Sequence, residues 1–372
     1  MNEILEVSAV ALIAFATPII SQRIKVPAVI LEIVAGFTLA IVLGSFAQSE
    51  WFSFFSVLGL IFLMFLSGLE IDFTLIIRKS RRYWKVPVYV VASLILSFIL
   101  SEIANLSIIY AVFLANVSLG IVMPVLKEAG ISSTEFGQKI LLATFMTDLV
   151  TISLLSGIAL SYRASGSQIN LILPLLLVPA FVFAYYFGRF LIWHFPEFMA
   201  RFFDDPMELG VRGSFAIMIV FSGLAYILGS EAILGAFLAG ALISMVFRGA
   251  GKLEESLMGV GYGIFIPFFF IKTGVDMFNS ISEVNLYFPL VLLVMGLAVK
   301  ILPSAIFLKE MGTVRSLGFG VIQSSKLGLT LAGAEIAKGL GIISSGEAVS
   351  IALWTIISAL VFPTVFRLMV RE

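Results

Sequence analysis

The sequence predicts an all-α, polytopic membrane protein of about 13 transmembrane helices. Three observations carry this: an apolar composition, apolar runs of spanning length along the whole chain, and basic residues gathered in alternate loops. The 372 residues are 60% hydrophobic and 12% charged, with a mean hydropathy of +1.12. That leaves too little polar surface to cover a water-soluble globule, so the main solvent is lipid. Backbone hydrogen bonding in lipid then excludes open sheets.

In chain order the apolar runs fall near residues 3–22, 27–45, 53–70, 85–103, 107–127, 138–161, 169–193, 210–229, 231–247, 258–275, 286–308, 315–337 and 347–370. Each is close to the 18 or more residues, roughly, that cross a hydrocarbon core of about 30 Å as a helix. Acidic Glu3 and Glu6 stand where a signal peptide would be basic, and no small-residue cleavage pattern follows the first run. It therefore reads as a retained span. With the N-terminus outside, the inner loops and the C-terminus collect most of the 23 Lys and Arg residues, including Arg78, Lys79, Arg81, Arg82 and Lys85. Only Arg163 and Lys338 fall in outer loops, as the positive-inside rule requires of a correct count.

The runs also repeat. Residues 62–72 read FLMFLSGLEID and residues 268–278 read FFFIKTGVDMF, aligning Gly68 with Gly274. The preceding runs match at Ala35-Gly36 and Ala239-Gly240. Spans one to six and eight to thirteen thus form two six-helix repeats, and the odd seventh span between them forces opposite topology. Beyond that seventh span, residues 190–212 form either an amphipathic interfacial helix or a plain loop.

Composition also excludes chemistries. Without cysteine there are no disulfides or thiolate metal sites, and a single histidine, His194, makes a His-based zinc site improbable. A net charge of zero leaves no nucleic-acid footprint. The lipid bilayer is the expected surrounding partner. His194, beside Trp193 and Pro196, is either a pH sensor or an ordinary interfacial histidine.

A carboxylate in hydrocarbon is expensive, which singles out Asp148 in the middle of the sixth span. Its polar neighbours are Thr144, Thr147, Thr151 and Ser153. It is either an ion site or the structural partner of a buried lysine. As an ion site it would hold a proton or a metal cation, one excluding the other. The fifth and twelfth spans are interrupted at matching places. Asn116, Ser118 and Gly120 precede Pro124 in one, and Gln323, Ser324, Ser325 and Lys326 precede Gly328 in the other. Such interruptions suit broken helices whose freed backbone groups face an ion near the bilayer midplane; the alternative is a pair of kinked helices.

Lys300, deep in the eleventh span, needs either a salt bridge to Asp148 or hydrogen bonds to Thr147 and freed carbonyls. It is a structural anchor or a proton-releasing group. Lys326 would cancel a helix-end dipole, occupy part of a cation site, or pair with Glu335. Lys272, Glu70 and Asp276 read as interfacial, and Glu32 as interfacial or lining an inner funnel.

The stretches VSLGIVMPVLKEAG (117–130) and FGQKILLATFMTDLVTISLL (136–155) resemble the monovalent cation/proton antiporter superfamily. The branch is that of sodium/proton exchangers related to Kef-type potassium efflux proteins. PAVILEIVAGFTLAIVLG (27–44) and FFFIKTGVDM (268–277) extend the likeness over the membrane domain. In that family the sixth span carries an Asp-Asp or Asn-Asp pair whose second carboxylate binds the ion; here Asp148 takes that place and Thr147 the first. The resemblance implies two crossed discontinuous helices and an elevator motion of a core domain against a dimerisation domain. It divides the chain into a panel half (1–78), a core half (84–162), a linker helix (169–208), a second panel half (209–280) and a second core half (286–372).

The chain departs from the family at Val117-Ser118-Leu119, where Thr-Ser-Pro is usual, and at Ser325-Lys326, where an acidic residue or Arg-Gly-Glu is usual. The expectation is a transporter rather than an enzyme, without cofactors. It would exchange Na⁺, or alternatively Li⁺ or K⁺, for H⁺, electroneutrally because Thr147 cannot titrate. Asp148 would be the metal ligand, with Thr147, Ser118 and Asn116 beside it and Lys300 and Lys326 as charge partners in the core. A homodimer in a prokaryotic plasma membrane, C-terminus cytoplasmic, completes the expectation. The alternatives are Na⁺-coupled symport of an organic anion and a membrane sensor that does not transport.

Overall fold

The computed structural model describes residues 3–24, 27–43, 50–69, 83–132, 134–163, 176–194, 208–228, 232–247, 251–279 and 287–370. Every regular element among them is helical. In order they are α1 (Glu3–Ile24), α2 (Ala28–Leu43), α3 (Glu50–Leu69), α4 (Lys85–Ile103), α5 (Ile108–Ala115), α6 (Leu119–Glu128), α7 (Glu135–Arg163) and α8 (Leu177–His194). There follow α9 (Leu209–Ile227), α10 (Ala232–Val246), α11 (Gly251–Val260), a π-helical turn (Gly261–Phe265) and α12 (Ile266–Asn279). The last are α13 (Tyr287–Ser304), a 3₁₀ turn (Ala305–Phe307), α14 (Leu308–Gln323), α15 (Gly328–Gly339) and α16 (Ser345–Val370). Seven helical stretches among the described residues are long and apolar enough to cross a membrane, and four shorter apolar helices accompany them. Glu70, the basic residues at 78, 79, 81 and 82, and the 195–207 part of the predicted linker region lie outside the described residues.

Local chemistry sets the helix ends. Thr134 caps α7, its hydroxyl accepting the Gly137 N–H at 3.1 Å. A capping box opens α16: the Glu347 N–H donates to Ser344 Oγ at 3.2 Å, and the Ser344 N–H donates to Glu347 Oε2 at 2.7 Å. Gly341, at φ +69°, supplies the left-handed residue beyond α15. Gly312, at φ +78°, separates the first residues of α14 from the part that continues to the second interruption.

The chain divides into two compact units, Met1–Ile71 with Leu160–Asn279, and Asp72–Ala159 with Ser280–Glu372. In the first unit, a β-carbon on Gly36 would collide with the carbonyl oxygen of Ile271, and one on Gly274 with that of Ile33. One on Gly68 would meet the carbonyl of Phe237, and one on Gly240 that of Phe65. Each obstructing residue lies three positions before the glycine of the opposite helix. The glycines that align between the sequence repeats therefore occupy equivalent, reciprocal crossings: α2 against α12, and α10 against α3. A two-fold relation between the repeats is built into the backbone contacts.

Around these crossings Phe52 and Phe268 pack with Val10, Ala40, Ile271 and Val275. Phe62 stacks on Phe265, in the π-helical turn, at 5.5 Å between centroids. Glu32 is 5% exposed, with Thr17 of α1 beside it. Lys272 and Asp276, one turn apart on α12, form an ion pair at 2.7 Å.

The second unit holds α4, the interrupted pair α5–α6 and most of α7, matched by α13, the interrupted pair α14–α15 and α16. The α13–α14 crossing is close, since a β-carbon on Gly320 would lie 2.7 Å from Ile301 Cα. Tyr89 of α4 packs against the paired rings of Phe307 and Phe319 and donates its hydroxyl to the Lys300 carbonyl at 3.3 Å. Both predicted interruptions are present, at residues 116–118 and 324–327. Pro124 does not make the first one; it lies inside α6, five residues past the start of that helix.

Candidate ion site

The two interruptions meet. The Ser118 N–H donates to the Ser325 carbonyl at 2.9 Å, joining the strand-like turn after α5 to the one after α14. Asn116 leaves α5 in an extended conformation, φ −59° and ψ 163°. Its side-chain amide donates to Thr330 Oγ1 of α15 at 3.0 Å, and its Oδ1 accepts from Thr151 Oγ1 of α7 at 3.2 Å. Three helices are thus tied at one buried side chain. The amide of Gln323, at the other interruption, joins α14 to α7, donating to the Ile140 carbonyl at 2.9 Å and to Thr144 Oγ1 at 3.0 Å.

These contacts bracket the sixth span. Thr144 touches the second interruption and Thr151 the first, and Thr147 and Asp148 lie between them on the same face of α7, at the i, i+3, i+4 and i+7 spacing of a helix. Thr147 is fully buried, and Asp148 is half-buried. Ser118 is buried too, whereas Gly120, in the first turn of α6, is exposed.

Breaking a helix in a membrane leaves carbonyls without intrahelical donors, and the C-terminal end carries partial negative charge. At α5 both are answered by lysines of the second repeat. Lys326 Nζ donates to the Leu114 carbonyl at 2.9 Å and to the Asn116 carbonyl; Lys300 Nζ donates to the Ala115 carbonyl. Both lysines are 0% exposed. Lys326 also lies 5.7 Å from the Trp354 ring centroid, within cation–π range, and its backbone N–H donates to Ser358 Oγ at 3.1 Å. Of the sequence alternatives for Lys326, dipole cancellation describes the geometry. Pairing with Glu335 does not, because Glu335 binds Lys338 at 2.8 Å. The carboxylate of Asp148 is near enough to act electrostatically on both ammonium groups, which also repel each other.

Further polar contacts at the ends of this unit had no sequence expectation. Lys139, Lys85 and Glu310 form an ion cluster in which Lys85 lies 3.0 Å from Glu310, and Lys139 bonds Glu310 and, at 3.0 Å, Glu135. The Lys139 contact holds the Glu310 carboxyl below its usual range, with Lys85 adding to the effect. Tyr110 donates to Glu347 at 2.9 Å near the opposite end. For the central network the signals in the sequence were the polar interruptions, the buried lysines that needed freed carbonyls, and the Thr144, Thr147, Thr151 spacing, which marks one polar face of α7 without naming its partners. His194 is exposed, its Nδ1 3.1 Å from the Phe190 carbonyl.

Comparison with known proteins agrees with this architecture. A candidate Na⁺/H⁺ antiporter of Bacillus subtilis, YjbQ, is 32% identical over 387 aligned positions covering 96% of this chain, which spans 62% of that relative's length. The Na⁺/H⁺ antiporter of Enterococcus hirae is 27% identical, with 98% of both chains covered. The solved structure of the sodium proton antiporter MjNhaP1 from Methanocaldococcus jannaschii superposes with a TM-score of 0.68, covering 100% of this chain and 98% of that one; at 15% identity the likeness is one of fold. The family model for the transmembrane sodium/hydrogen exchanger matches residues 10–372. The chain is an integral membrane protein of the sodium/hydrogen exchanger family.

Proposed function

We propose that the protein is a secondary active antiporter that exchanges Na⁺ for H⁺, with Asp148 carrying one or the other. The observation that supports this most directly is the half-buried carboxylate of Asp148 held on α7 between two interrupted helices. A proton neutralises that carboxylate covalently and a metal cation does so electrostatically, so occupancy by one displaces the other. Alternating access around such a site converts the competition into exchange. Li⁺ and K⁺ are the competing substrates to be compared with Na⁺, since oxygen ligands accept any of them. Family membership supports exchange over anion symport or a non-transporting sensor.

Thr147 cannot titrate, and Lys300 is engaged as a donor to the Ala115 carbonyl. Both support electroneutral exchange, one cation against one proton, with Lys300 and Lys326 bracing the crossing. Asn116 and Ser118 hold the interruptions in register. The unit containing α13–α16 would be the moving core, and the glycine-crossed unit the panel through which two copies pair in the plasma membrane with the C-terminus cytoplasmic. In proteoliposomes with an imposed pH gradient, Na⁺ is expected to dissipate the gradient, and Asp148→Asn to abolish this. Undiminished exchange by Asp148→Asn, or a rate that follows an ionophore-set voltage, would overturn the carboxylate's role or the electroneutral stoichiometry respectively.

A further inference from the structure

Among the buried side-chain atoms with no hydrogen-bond partner among the described residues are Thr147 Oγ1, next to Asp148 in the chain, and Gln323 Oε1 and Ser325 Oγ at the second interruption. All three side chains are 0% exposed. Buried polar atoms are nearly always satisfied, and these three exceptions, on α7 and at the second interruption that Gln323 ties to α7 one turn from Asp148, point to something that binds there. Their placement is fixed by contacts already described. Gln323 is anchored through its NH₂ group to Ile140 and Thr144, one turn before Thr147 and Asp148, which commits the donor end of the amide and leaves its oxygen available. Ser325 is held by its carbonyl to Ser118. Of the other partnerless hydroxyls among the described residues of this unit, Ser156 and Ser316 stand about two helical turns from Asp148 and Gln323, and Ser101 lies near the end of α4.

The first interruption is differently committed. Both ends of the Asn116 amide are bonded to protein, and the carbonyls of Leu114, Ala115 and Asn116 accept lysine ammonium groups. The carbonyls at the end of α5 are therefore already taken by lysine donors and are not open to a mobile cation. We propose that the neutral ligands of the transported cation are Thr147, Gln323 and Ser325, a set drawn from α7 and the second interruption, and that this set determines which monovalent cation is selected. The proposal rests on the exchange reading and goes beyond it by assigning the ligands. Two hydroxyls and an amide oxygen around a carboxylate suit a small, hard, partly dehydrated cation. Neutral oxygens coordinate a metal cation but do not take up a proton at physiological pH. They therefore bias Asp148 towards the metal without altering its competition constant for protons.

The test uses the full chain in proteoliposomes, with initial rates measured against Na⁺ and Li⁺ at several pH values for wild type, Thr147→Val, Ser325→Ala and Gln323→Met. Each variant is expected to raise the KM for Na⁺ about tenfold, the loss of one ligand, with kcat nearly unchanged. The factor should be the same at every pH, the proton competition constant should stay at its wild-type value, and the Na⁺/Li⁺ preference should change. Gln323→Met also loses the anchor to α7, so Thr147→Val and Ser325→Ala decide the matter if that variant folds poorly. Active variants with wild-type KM for both cations overturn the assignment while leaving exchange intact. So does a KM increase matched by a shifted proton constant, which marks a disturbed carboxylate rather than a lost ligand. Absence of exchange in the wild type overturns the underlying reading, and the assignment with it.

Discussion

Substituting alanine at Gly36, Gly68, Gly240 and Gly274, one at a time, tests the two-fold relation between the repeats. Each added methyl meets the backbone carbonyl of a crossing helix, Ile271, Phe237, Phe65 and Ile33 respectively, so no side-chain rotamer change relieves the clash. The helices must separate by a fraction of a helix diameter, and overpacking of this kind costs about 1–3 kcal/mol. Alanine's better helix propensity returns about 0.5–1 kcal/mol. Each variant is thus expected to lose on the order of 1–2 kcal/mol. Gly157 and Gly223, where an added methyl meets nothing within 4 Å, serve as controls and should be neutral or slightly stabilised. Tryptophan fluorescence during heating in one detergent at one scan rate reads the order of apparent Tm values, the comparison that irreversible unfolding permits. Gly36→Ala should match Gly240→Ala, and Gly68→Ala should match Gly274→Ala. Wild-type Tm in the crossing variants, or opposite effects within an equivalent pair, would refute the reciprocal-crossing argument.

Asn116→Ala removes two buried side-chain hydrogen bonds, about 1 kcal/mol each, and should lower Tm and kcat while leaving the KM for Na⁺ within about threefold; a KM increase as large as that of Thr147→Val would make Asn116 a ligand. Glu310→Gln probes the ion cluster, where the carboxyl's depressed titration means that its stabilisation is present above pH 4.5 and lost as pH falls through the lower folded value. The Tm gap between wild type and Glu310→Gln should therefore be small at pH 7, given that Glu310 is 34% exposed, and close progressively below pH 4.5; a gap that widens in acid contradicts this. Tyr110→Phe loses a donor to the charged Glu347 and should cost about 1.5–3 kcal/mol, with Glu347→Gln milder because an amide oxygen still accepts; equal Tm for Tyr110→Phe and wild type would show the bond to be idle.

The helices were readable because each run needs only local information: apolar length, a breaker, a capping residue. The interruptions at 116–118 and 324–327 were readable for the same reason, as clusters of polar residues in apolar surroundings. Asp148 stood out by its depth, its polar neighbours and the sixth-span motif around it. What the sequence withheld were partners, and the cause is separation along the chain. Freed carbonyls were expected for Lys300 and a helix end for Lys326, but not which ones: Lys326 binds a carbonyl 210 positions away and Lys300 one 185 positions away. Gln323 drew notice as a helix breaker, while its two bonds to α7 and its uncommitted oxygen depend on how α14 meets that helix.

The lysines that cap the end of α5 also constrain how the molecule is made. Residues are inserted in order, so the first half reaches the bilayer with the carbonyl end of α5 uncapped and waits through roughly two hundred residues of synthesis before Lys300 and Lys326 arrive. Until then an open helix end must find water, lipid headgroups or a chaperone, because hydrocarbon offers no donor. The second half has the complementary problem, two ammonium groups that are costly to bury alone. Each half thus supplies what the other lacks, which drives their assembly late and together. Co-expressed halves split in the 164–175 segment should recover each other's accumulation, and either half alone should be degraded.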